Sequence, residues 1–159
     1  MRRRVTFLIV LLSGALACAA AQDSGHPMDK SHADHAMGFS QDKTTHHFRL
    51  YKNGGAIVVE ANDPKDTATV EQVRMHLRHI AIMFADGDFE IPMVVHDQTP
   101  PGVPAMKRLA KEIRYTYEET PVGGRVRMQT RNAEALSAVH EFLKFQIKEH
   151  KTGDSGVAQ

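Results

Sequence analysis

Apolar and polar residues alternate from the mid-forties onward. His46, Phe48 and Leu50 fall on one side of the run, His47, Arg49 and Tyr51 on the other, and Ile57, Val58 and Val59 follow Asn53-Gly54-Gly55. Period-two alternation broken by Asn-Gly predicts a β-hairpin, because that pair readily takes up the backbone angles of a tight turn. After Asp63-Pro64 the period lengthens. Val70, Val73, Leu77, Ile80, Ala81 and Phe84 recur at steps of three and four, which predicts a long helix ended by Gly87. Residues 93–96 read as a short strand, Thr99-Pro100-Pro101-Gly102 as a rigid loop, and 105–112 as a short helix. Period two then returns in Ile113, Tyr115 and Tyr117, turns at Val122-Gly123-Gly124, and resumes in Val126, Met128 and Thr130. Asn132 is a good cap for a last helix with Leu136, Val139, Leu143 and Ile147 as its buried stripe, closed by Gly153.

The two halves repeat one order: hairpin with a Gly-Gly turn, amphipathic helix, then a Gly-Asp pair (Gly87-Asp88 and Gly153-Asp154). One such unit leaves a face of its two-stranded ribbon bare. Two units joined in a four-stranded antiparallel sheet, with helices packed on one face, bury it. The expected fold is therefore α+β, a duplicated strand-strand-helix unit forming a single domain over residues 44–154.

The ends read differently. Arg2, Arg3 and Arg4 precede an apolar run from Val5 to Leu12, and small residues lead up to Ala21. That run is too short for a membrane span, so residues 1–21 are expected to be a cleaved signal peptide, with lipidation of Cys18 as the minority alternative. The mature protein is expected in the periplasm or outside the cell, with no transmembrane helix. Residues 22–43 are polar and read as a flexible His/Met-rich tail, and residues 155–159 as a disordered C-terminus.

Losing residues 1–21 removes three of the 20 basic residues and none of the 19 acidic ones, leaving 17 against 19, a charge of about −2 with neutral histidines. No strongly basic face remains for a phosphate backbone, which excludes nucleic acid as an expected partner. The single cysteine also goes, and with it disulfide and thiolate chemistry.

Thr44-Thr45-His46-His47-Phe48, Met75-His76-Leu77-Arg78-His79-Ile80 and Gly87-Asp88-Phe89 together resemble a group of uncharacterised exported bacterial proteins over roughly residues 39–154. The resemblance implies export and a small compact domain. It carries over no activity and no site residue.

Ten histidines and eight methionines with no tryptophan are the unusual feature of the composition. Thioether sulfur combined with imidazole suits copper, Cu(I) above all, and imidazole alone also accepts zinc. His26, Met28, His32, His35 and Met37 concentrate both ligand types in the tail. On the long helix, taking Val70 as zero, His79, Met83 and His76 fall at about 180, 220 and 240 degrees, a stripe beside the core face. His96, just beyond the helix exit, is the expected further ligand. His46 is expected about 15 Å from His76, near the helix entrance, and reads as a core histidine. His47 reads as a solvated strand residue and His140 as structural.

These readings predict a periplasmic or cell-surface metal-binding protein that captures or transfers copper, with zinc as the second candidate. One alternative is an envelope interaction module presenting Arg49, Arg114, Arg125 and Arg127 to a protein partner. The less favoured alternative is a small enzyme with a histidine base at His96 beside Asp97. No Gly-x-Ser-x-Gly elbow, phosphate-cradling glycine loop or His-Glu-x-x-His helix supports catalysis.

Overall fold

A computed structural model describes residues 30–159, with side chains from Asp34 onward. The residues expected to form the signal peptide, with Cys18, His26 and Met28, lie outside the described residues. The elements in chain order are α1 (Lys30–Met37), β1 (Thr44–Tyr51), β2 (Gly54–Ala61), α2 (Thr67–Ala85), α3 (Glu90–His96), α4 (Val103–Arg108), β3 (Ile113–Thr120), β4 (Gly123–Thr130) and α5 (Ala133–His150). The two hairpins join through β2 and β4 into one antiparallel sheet of order β1-β2-β4-β3. This is the expected four-stranded α+β fold.

The helices exchange hairpins. α2 follows β2 yet packs on β3 and β4 as well, while α5 follows β4 and packs on β1 and β2. The second glycine of each Gly-Gly pair permits this. A Cβ at Gly124 would come within 3.3 Å of Leu77 on α2, and one at Gly55 within 2.2 Å of Leu143 on α5. Each leucine therefore rests on backbone where any larger residue would hold the helix away, and the two contacts mirror one another across the duplication.

Both long helices start on side-chain caps. Asp66 accepts from the Thr69 N–H, and Asn132 from those of Glu134 and Ala135, meeting backbone donors that have no partner inside the helix. Phe84, Phe89 and Phe142 fill the centre of the core, with Phe84 and Phe89 stacked at 4.2 Å.

Four expectations are corrected. Residues 93–96 are not a strand but the end of helix α3, whose Pro92 sits in the first turn, where its missing N–H costs no helical hydrogen bond. The short helix expected at 105–112 spans Val103–Arg108, and a 3-10 turn over Ala110–Glu112 follows it. Part of the expected tail is structured: α1 packs against α3, a 3-10 turn spans Gln41–Lys43, and Met37 and Phe39 are buried in the core. Two apolar anchors supply the burial that the polar composition around them conceals.

The fourth concerns residues 155–159, expected to be disordered. They run beside β1, where the Gln159 N–H donates to Leu50 O and the Lys52 N–H donates to Gln159 O. Asp154 anchors the segment. Its carboxylate, 4 % exposed, accepts from the Phe48 N–H at 2.8 Å and pairs with His47 at 3.0 Å and Arg49 at 2.7 Å. Burial alone would raise its pKa, but these donors, with the Thr152 hydroxyl, hold it below the usual carboxylate value.

No helix among the described residues is long and apolar enough to cross a membrane.

Candidate functional site

A cavity of about 60 Å³ lies between the sheet and the helices, and four histidines line it from four different elements: His46 of β1, His76 of α2, His96 of α3 and His150 of α5. Met37, at the end of α1, adds a thioether to the wall. The remaining lining is mainly apolar, with Phe48, Ile80, Phe84 and Val95 among it. The amide of Gln146 is the one other polar side chain there.

The rings form a connected group. His46 and His150 stack with centroids 5.2 Å apart, and His96 meets His150 edge-on at 5.3 Å. Phe39 bridges to the fourth, lying 5.9 Å from His46 and 5.3 Å from His76. Burial withdraws water from an imidazolium and so favours the neutral form. It lowers the pKa values of His46 and His76 to about 4 and that of His150 to about 3, and neighbouring histidines push each in the same direction. The Met37 backbone carbonyl offsets only part of this at His76. Burial also lowers the pKa of His96, although Gln146 and Glu149 oppose it. Near neutral pH all four rings are uncharged, which is the form that ligates metals.

His96 Nε2 lies 3.0 Å from Gln146 Oε1. Donation in that direction leaves Nδ1 with a free lone pair, the arrangement by which an outer amide or carboxylate orients a ligating imidazole. Gln146 Nε2 is buried without a hydrogen-bond partner. The His46 and His150 rings also make no hydrogen bond among the described residues. The cavity thus collects uncommitted nitrogen lone pairs, a thioether and an orphaned amide donor. As the rings stand they stack rather than aim at a common point, and among the described residues no three His, Cys, Asp or Glu side chains are arranged to hold one metal ion.

The expected ligands separate. His76, His96 and Met37 line the cavity. His79, one step further round α2, is exposed, and Met83 packs against the core outside the cavity. His35 is exposed, and His32 belongs to α1. The expected separation of His46 from His76 is overturned. The first turns of α2 overhang the end of the sheet, so that Arg74, well into the helix, donates to the backbone oxygens of Thr120 and Gly123 at the β3–β4 turn. His76 and Leu77 consequently lie over the row that pairs His46, Val59 and Gly124. His150 is the ligand candidate that sequence reasoning missed. Its only signal was its position seven residues beyond Leu143, on the face of α5 that carries the core stripe.

The surroundings of the alternative sites differ. Asp97 is exposed while His96 turns inward to Gln146, so the two do not form an acid–base pair. Arg49 is paired with Asp154, and Arg125 with Glu118 at 2.7 Å, which uses up two of the four arginines on the open sheet face. His140 donates to the Tyr51 and Gly54 carbonyls and fastens α5 to the β1–β2 turn, a structural role.

Compared with known proteins, the chain matches no family model, no curated protein and no solved structure.

Proposed function

We propose that this protein binds a soft metal ion, copper as Cu(I), for capture or transfer outside the cytoplasm, and that the ion is held in the cavity by a subset of His46, His76, His96, His150 and Met37. The observation that carries the reading is the gathering of four neutral imidazoles and a thioether around one apolar space. Half-buried histidines without hydrogen-bond partners lose part of the hydration of their ring nitrogens, and a metal ion restores an equivalent interaction. Nitrogen and sulfur donors together favour Cu(I) over Zn(II), which takes imidazole alone as readily. Coordination would require the stacked rings to turn toward the cavity centre, and apolar walls with no acidic residue would suit an ion of single charge. The exposed His35, with His26, Met28 and His32, would deliver ions to the cavity by ligand exchange. The signal peptide read at residues 1–21 supports a site of action in the periplasm or at the cell surface.

The test is competition of the purified protein against a chromophoric Cu(I) chelator, beside a parallel Zn(II) titration. One Cu(I) per chain should withstand replacement of His26, Met28, His32 and His35, and be lost in a His46→Ala/His150→Ala variant shown by circular dichroism to be folded. Met37→Leu should weaken Cu(I) about tenfold or more and leave Zn(II) nearly unchanged. Cu(I) affinity unaffected by the double histidine variant would overturn the reading.

A further inference from the structure

The sheet has two edges, and among the described residues only one is covered. β1 carries the C-terminal segment beside Leu50 and Lys52, whereas β3 has a strand neighbour on one side only among the described residues. β3 is eight residues long and pairs with β4 in unbroken register. It contains no proline, no lysine and no bulge, three of the means by which an edge strand is kept from pairing, and its charged residues are Arg114, Glu118 and Glu119. Among the described residues, three of the five buried polar side-chain atoms lacking a hydrogen-bond partner also belong to it, in Tyr115, Tyr117 and Thr120.

The charges on this strand are arranged for self-recognition. Arg114 is exposed and has no ion-pair or hydrogen-bond partner among the described residues. Glu118 lies two positions along the same face from Thr116, and both its contacts with Arg125 fall on Oε2, leaving Oε1 unused. We infer that β3 is a homodimerisation edge, pairing antiparallel with β3 of a second copy about a two-fold axis at Thr116 to form a continuous eight-stranded sheet. A two-fold axis perpendicular to the sheet keeps the helices of both copies on one face. It therefore requires residues of equal parity to stand opposite each other. Centring the axis on Thr116 places Arg114 opposite Glu118 twice, and Tyr115 opposite Tyr117 twice. Centring it on Tyr117 preserves as much overlap but sets Arg114 against Thr120 and forfeits the ion pairs. The charge pattern selects the first register, and cross-strand ion and aromatic pairs are the interactions that stabilise such a junction.

Sedimentation velocity on protein purified from cells expressing the full sequence, with and without a metal chelator, tests this independently of copper. A concentration-dependent dimer in both conditions is expected. Arg114→Glu sets acidic residues against acidic ones and should weaken the dimer about tenfold or more, and Glu118→Arg should do the same by setting basic against basic. Mixing the two variants restores opposite charges at both positions and should restore dimers. Circular dichroism melts identify any variant that is not folded, and Arg114 has no ion-pair or hydrogen-bond partner among the described residues for Arg114→Glu to disturb. A wild-type monomer at high micromolar concentration, or a dimer indifferent to Arg114→Glu, overturns the inference.

Discussion

Three imidazoles in this domain, those of His46, His76 and His150, resist protonation until the pH is near 4 or 3, whereas the same groups in an unfolded chain accept protons near 6.5. Between those limits the unfolded chain binds more protons than the folded one, so acidification favours unfolding. Above about pH 6.5 both states are neutral at these residues, and the histidines add no pH dependence. Stability is therefore expected to be level from pH 8 to 7 and to fall steeply from pH 6.5 toward 4. Urea midpoints across that range would measure it. A His150→Gln variant, lacking the ring with the lowest value, should show a shallower fall. A profile for the variant identical to that of the wild type would mean that His150 is not a buried neutral base.

At the scale of elements, α1 and the turn after it depend on a few side chains. Phe39, 4 % exposed, lies against both His46 and His76, and Met37 reaches the cavity wall. Phe39→Ala is expected to cost about 3–5 kcal/mol if the gap stays open, and less if residues 30–39 detach instead of collapsing inward. Hydrogen exchange distinguishes these outcomes, with amides of residues 34–38 losing protection in the second. The hairpins and long helices were legible in the sequence because their periods persist over many residues. Phe39 was not, since one aromatic in a polar stretch carries no period, and α3 was not, since a run as short as Met93, Val94, Val95 and His96 fits strand and helix equally. The site was half legible for a related reason. Periodicity grouped His76, His79 and Met83 on one side of α2, but only tertiary packing divides that side between cavity and solvent. The approach of His46 to His76 rests on the overhang of α2 and the bare backbone at Gly124, neither of which is encoded in the spacing of the histidines.

At the scale of the whole molecule, Asp154 fastens residues 152–159 along β1, and so connects the far end of the described chain to the strand that carries His46. Asp154→Ala would leave the Phe48 N–H, His47 and Arg49 without their common acceptor, at an expected cost of about 1–3 kcal/mol, since both side-chain partners retain some contact with water. Thermal melts would show the loss, and proteolysis should then remove residues 152–159 before the core is cut. The same closure has a further meaning for the cavity. Its histidines come from β1, α2, α3 and α5, and no shorter stretch of chain brings all four together. A polypeptide threaded through a membrane as an extended strand, or still lacking α5, has no such pocket and offers an ion only the residues of the His/Met-rich segment and single histidines elsewhere. Under the proposed function, loading must then follow both translocation and completion of the fold, and a partially made or clipped chain would be excluded from the metal traffic.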